Sequence, residues 1–117
     1  MGPPGVGATG VPPAPRAVVA RVELQCRDLL FGSKVEGALR VAGHEVSREI
    51  EGADVVVVDL TDPDVAWPEA AGVPRLGFYS HVDQETRRRA EEAGFDLVVP
   101  RSRMNREAAA LIEKLAG

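Results

Sequence analysis

The sequence predicts an α/β domain, a parallel sheet of about five strands with helices on both faces. Two observations predict it. Residues Asp54–Leu60 read DVVVVDL, a continuous aliphatic run. A strand that is apolar on both faces belongs inside a parallel sheet covered on both sides. Hydrophobic spacing also switches along the chain between strand-like runs and helical stripes. Strands alternating with helices imply parallel pairing through right-handed crossovers. A chain of 117 residues suits one domain. Its composition is 44% hydrophobic but only 4% aromatic, so Val, Leu and Ala must fill the core.

Met1 to Arg16 is rich in Gly, Pro and Ala. Such a segment cannot bury enough apolar surface to offset the entropy of ordering it. Residues 1–16 are therefore expected to be a disordered tail, and residues 17–117 the domain. Ala17–Cys26 (AVVARVELQC) reads as the first strand. Phe31, Val35, Ala38, Leu39 and Ala42 follow at helical spacing, with Asp28 or Ser33 as cap and Gly43 as stop. His44–Ile50 reads as the second strand, and Asp54–Leu60 as the third.

Only Glu51, Gly52 and Ala53 separate those two strands, whereas a parallel crossover normally needs a dozen or more residues. Either the second strand ends near Val46 and residues 47–53 return as an irregular loop, or the pair is antiparallel. The covered character of DVVVVDL favours the loop. Pro68–Ala71 leaves room for about one helical turn.

Arg75–Tyr79 (RLGFY) is the next expected strand. Val82, Thr86, Ala90 and Ala93 form a helical stripe between a cap at Asp83 and a terminator at Gly94. Asp96–Val99 is a last short strand. Met104, Ala108, Leu111, Ile112 and Leu115 form the inner face of a closing helix, capped by Asn105 or Ser102.

Composition narrows the function. The net charge is −4 and the pI near 5.2, which opposes nonspecific binding to nucleic acid or anionic membranes. One cysteine, Cys26, cannot form a disulfide within the chain, which fits a reducing compartment. No run approaches the roughly 20 apolar residues of a membrane helix. Residues 1–16 do not read as a signal peptide, so the expected location is the cytoplasm. CRDLLFGSK after the first strand carries neither GxGxxG nor GxxxxGK[ST], and no GxSxG elbow occurs. Nucleotide enzymes and hydrolases lose support accordingly.

In a doubly wound sheet, ligands bind beyond the carboxyl ends of the strands. Cys26, Asp28, Asp59, Thr61, Asp62, Ser80, His81, Arg101 and Ser102 are expected there. Read singly, Asp59 is a strand-end carboxylate that can cap a turn, and Ser80 a turn residue before a helix. His81 is a loop residue able to titrate near neutrality. Cys26, Asp59 and His81 lack the close spacing of a transition-metal site, and Cys26 is better read as a small buried apolar residue. His44 is assigned no role.

Three features together resemble the receiver domain of two-component response regulators, the CheY-like branch of the flavodoxin-like folds. Asp59 ends the central run in DVVVVDLTDPD, Ser80 ends the next strand in LGFYSHVD, and AEEAGFDLVV precedes a final helix. The match covers roughly residues 17–116. The resemblance implies a phosphoacceptor at Asp59, a switch hydroxyl at Ser80, and a place for Mg²⁺, for which Asp59 with Asp28 or Asp62 could provide two oxygen ligands. The family's acidic pair is replaced by Gln25, Cys26, Arg27 and Asp28, its lysine by Pro100 and Arg101, and its second helix is short or missing. The chain thus resembles an atypical receiver, or pseudo-receiver.

The expected function is a stand-alone regulatory module acting through protein contacts, not an enzyme. Partners would be proteins or a second copy of the chain, with Ala109, Ala110 and Ala116 offering small contact residues. By resemblance, Arg87, Arg88 and Arg103 mark the docking face, although Glu85, Glu91 and Glu92 beside them suit a solvated helix. The alternative is a protein that binds a small molecule or anion, or an enzyme, using a cleft around Asp59, His81 and Arg101.

Overall fold

A computed structural model describes residues 19–48, 51–69, 72–80 and 84–117. The expected tail, the ends of the first two strands, part of the 68–71 turn, and the residues His81, Val82 and Asp83 lie outside them. The described elements are β1 (Arg21–Gln25), α1 (Leu29–Val41), β2 (Glu45–Ser47), β3 (Val55–Asp59), β4 (Arg75–Tyr79), α2 (Gln84–Glu92), β5 (Leu97–Pro100) and α3 (Arg101–Ala116). All four strand pairings are parallel, in the order β2-β1-β3-β4-β5. This is the flavodoxin-like order, which reverses between β1 and β3.

DVVVVDL sits at the centre for the reason its composition gives. Every residue of β3 is buried. Val55 and Val57 face α1 and α3 with Leu24, Phe31, Leu39, Phe78, Met104 and Ile112. Val56 and Val58 face α2 with Leu60, Val65, Ala90 and Phe95. One strand thus feeds both cores.

The antiparallel alternative is ruled out, because β2, which ends at Ser47, and β3 flank β1 on opposite sides and both run parallel to it; residues 49 and 50 of the connection lie outside the described residues. The connection needs no helix. It crosses one strand of about 17 Å, well within the reach of its length. Among the described residues of the connection there is no helix, and this has a chemical reason. Register places Arg21 with Glu45, and Glu23 with Ser47, on the side away from α1, and Gln25 alternates onto it. This surface is polar, so a helix would have nothing apolar to cover. Arg21 and Glu45 pair across it at 3.2 Å.

Several expected details change. Ala38 is exposed, and the buried stripe of α1 is Phe31, Gly32, Val35 and Leu39. Asp28, not Ser33, caps α1, accepting the Phe31 amide at 3.0 Å. Ala93 is exposed in the turn after α2. There Gly94, with φ +91°, and the Phe95 amide bonded to Ala90 end the helix as expected of glycine. Neither Ser102 nor Asn105 caps α3. The helix starts at Arg101 behind Pro100, without a side-chain cap, and bends at Glu107. Residues 66–69 have no regular structure.

His44 acquires a role that the sequence did not suggest. Its ring is fully buried. Nδ1 accepts the Ala20 amide at 3.1 Å, so the ring proton lies on Nε2, which faces Glu113 Oε2 of α3 at 3.1 Å. The ring therefore joins β1 to α3. His44→Ala leaves a buried amide unpaired and is expected to lower stability by about 2–3 kcal/mol in urea unfolding. A loss under half a kilocalorie, roughly the scatter of neutral surface changes, would contradict this.

Candidate functional site

The site forms where strand order reverses, beyond the carboxyl ends of β1, β3, β4 and β5. Each strand tip supplies one group. Asp28 follows β1, Asp59 ends β3, Ser80 follows β4, and Arg101 follows β5. The sheet register sets these tips level, with Asp59 opposite Phe78 and Tyr79 opposite Pro100.

The four groups join into one hydrogen-bonded chain. Asp59 is buried, and its Oδ1 accepts both the Thr61 amide (3.1 Å) and the Thr61 hydroxyl (3.0 Å). Thr61 Oγ1 lies 3.2 Å from Ser80 Oγ. Arg101 reaches Ser80 Oγ at 3.5 Å with one guanidinium nitrogen and pairs with Asp28 Oδ2 through the other. Its guanidinium also lies over the Phe31 ring, 4.1 Å from the centroid. A second tie runs alongside. Arg27 pairs with Asp64 at 2.7 Å and Asp62 at 3.8 Å, linking the loops after β1 and β3.

The electrostatics follow from these contacts. The Phe31 amide, and then the Arg101 guanidinium, hold the Asp28 carboxyl below its ordinary range. A carboxyl with a depressed folded-state pKa stabilises the fold above its unfolded pKa and loses that contribution as pH falls through the folded value. Acid should therefore loosen the Asp28 clamp, and Asp28→Asn should flatten that part of the stability–pH curve below the ordinary carboxylate range. An unchanged acid limb would contradict the clamp. Beneath it, burial pushes the Cys26 thiol up, and the Asp59 and Asp28 carboxylates add to the effect against the Asp28 carbonyl and Arg101. Cys26 is thus the buried apolar residue expected, not a nucleophile.

The divalent cation implied by the resemblance does not fit this donor set. Oδ1 of Asp28 caps α1, and its Oδ2 holds Arg101. No three His, Cys, Asp or Glu side chains converge on a metal position among the described residues. In this arrangement the Arg101 guanidinium already engages Asp28.

Of the other expected site residues, Asp62 is spent on Arg27, and His81 lies outside the described residues. Arg87, Arg88 and Arg103 stand on helix surfaces away from this chain of bonds. Arg87 pairs with Glu91, Arg88 with Glu85 and Glu92, and Arg103 with Glu107. Arg101 also lines an open depression of about 590 Å³ with Asp28, Leu30, Phe31, Ser33 and Lys34. Sequence reasoning placed Thr61 in the cluster but missed its bridging role, and it missed Phe31 as the platform for Arg101. Leu29 and Leu30, 78% and 82% exposed beside this depression, were also missed. The polar residue two positions after Asp59 was the available signal for Thr61.

Sheet order, strand-tip acid and strand-tip hydroxyl define a receiver-like α/β domain. Solved structures agree. The chain is similar to the non-phosphorylated HemR receiver domain from Leptospira biflexa, with 20% identity and a TM-score of 0.67 over 84% of this chain and 94% of that one. It is similar also to a CheY-like response regulator receiver domain protein from Methanospirillum hungatei, with 12% identity and a TM-score of 0.62 over 84% and 97%. At these identities the likeness is one of fold. No protein-family model matches the chain, and no curated protein sequence is similar to it. No described helix is long and apolar enough to cross a membrane.

Proposed function

We propose that this domain is a receiver-like regulatory module of the response-regulator kind, acting through protein contacts, in which Asp59 is a hydrogen-bonding anchor and not a working phosphoacceptor. One observation carries the reading. The strand-tip groups that a receiver uses for phosphotransfer are here bonded to one another, from Asp59 through Thr61 and Ser80 to Arg101 and Asp28. Phosphotransfer to a carboxylate needs that oxygen accessible and charge-neutralising groups free to meet the phosphoryl oxygens. Asp59 is buried, and Arg101 is committed to Asp28. The reading is of a signalling domain without catalysis.

The contact surface we assign is the exposed helix surface carrying Arg87 and Arg88 on α2 and Arg103 on α3. Their ion pairs are exposed and lie three or four residues apart on a helix. Such pairs contribute only about 0.3–0.5 kcal/mol each, so a partner carboxylate can displace them. The test is intact-mass analysis after incubation with acetyl phosphate and MgCl₂. No phosphoryl gain is expected. A gain that disappears in Asp59→Asn would overturn the reading.

A further inference from the structure

We infer that Arg101 is a built-in cation: its guanidinium does for the Asp28–Asp59 cleft the charge neutralisation that a divalent metal would otherwise supply, so the domain holds this end of its sheet together without metal. The inference rests on the regulatory reading and adds the cation on which its site runs.

Arg101 is held from three sides. A carboxylate oxygen of Asp28 takes one nitrogen, the Ser80 hydroxyl another, and the Phe31 ring underlies the guanidinium. These contacts come from the loop after β1, the tip of β4 and the first turn of α1, so the side chain is fixed by three separate elements. A planar guanidinium suits this arrangement, since its donors fan out in one plane while its face stacks on an aromatic ring. A hydrated Mg²⁺ would need octahedral oxygen ligands, and a phenyl ring supplies none.

The position of Arg101 follows from the sequence. Pro100 ends β5 and, lacking an N–H, lets α3 begin immediately behind it. This puts Arg101 at the first helical position, directly over the strand tips. Charge then sets the consequence. Arg101 pairs directly with Asp28 and reaches Asp59 through the Ser80 and Thr61 hydroxyls, so the three charged groups belong to one hydrogen-bonded chain. Without the guanidinium, Asp28 would lose its cation at the same end of the sheet as Asp59, and a divalent cation would be drawn to the excess negative charge.

The experiment is thermal melting of the full chain in MgCl₂ against choline chloride at matched ionic strength, with wild type, Arg101→Ala and Arg101→Gln. Wild type should melt at the same temperature in both salts and after EDTA treatment. Arg101→Ala should melt lower in choline chloride and gain Mg²⁺-dependent stability, a rise on the order of a few degrees at millimolar Mg²⁺. Adding Asp28→Asn should abolish that rise. Arg101→Gln, which keeps the side-chain volume, answers the same question if the alanine variant does not fold. A wild-type melting point raised by Mg²⁺ would overturn the inference, as would the lack of any Mg²⁺ response in the folded Arg101 variants. Phosphoryl transfer to Asp59 in EDTA would instead overturn the regulatory reading and leave the built-in cation standing.

Discussion

Phe78→Ala is expected to lower stability by about 3–5 kcal/mol. Phe78 of β4 is fully buried and meets Phe31 at 5.1 Å between ring centroids. With aromatics at 4% of the sequence, no other large ring stands ready to fill the space. A loss of that size is a large part of the 5–15 kcal/mol typical of a domain and corresponds to a fall in melting temperature of roughly 15 °C or more. The effect extends to the site, because Phe31 also underlies Arg101. Urea unfolding measures the loss. A change below about 1 kcal/mol, the average for point substitutions in general, would mean that Phe78 is not in the core.

Gly77→Val is expected to be the next most damaging change, and it acts on Asp59 through packing. A Cβ at Gly77 would lie 2.5 Å from Leu60 Cδ1 and 2.8 Å from its Cγ. Leu60 is itself buried between the sheet and α2, and its amide bonds to Phe78. Its side chain sits in that buried cluster, so giving way means repacking the cluster. Overpacking of this kind costs typically 1–3 kcal/mol, and a branched Val in place of Gly puts the expectation at the upper end. Leu60 directly follows Asp59, so the Thr61 contacts should shift as well. Amide chemical shifts of Thr61 and Ser80 in the folded variant report this. Wild-type stability together with wild-type shifts would contradict it.

The legible part of the fold was the part written in local chemistry. DVVVVDL announces a central strand because its four valines can be buried only on two faces at once. The four strand-tip residues were legible because each ends an apolar run, and a parallel sheet brings such ends together. Partnerships between distant residues were not legible. Arg101 and Asp28 are 73 positions apart, and His44 and Glu113 are 69 apart. No spacing rule reaches that far. The stripe of α1 was misread at Ala38 because alanine fits either face of a helix, and the buried neighbour is instead Gly32, packed against Cys26. The missing second helix was legible as a shortage of residues. Its reason, the polar surface of Arg21, Glu23, Gln25, Glu45 and Ser47, needed the strand register.

That polar surface includes one open account. Glu23 is buried, and the Gln25 amide bonds to its Oε2, while Oε1 has no partner among the described residues.

The central claim is that the strand tips close on themselves through Arg101. A crystal structure determined from crystals grown in millimolar MgCl₂ tests it most directly. The account predicts the guanidinium seated on Phe31 between Asp28 and Ser80, with Thr61 bridging Ser80 to Asp59. Density for a hydrated Mg²⁺ bound by Asp28 and Asp59, with Arg101 turned out to solvent, would contradict it.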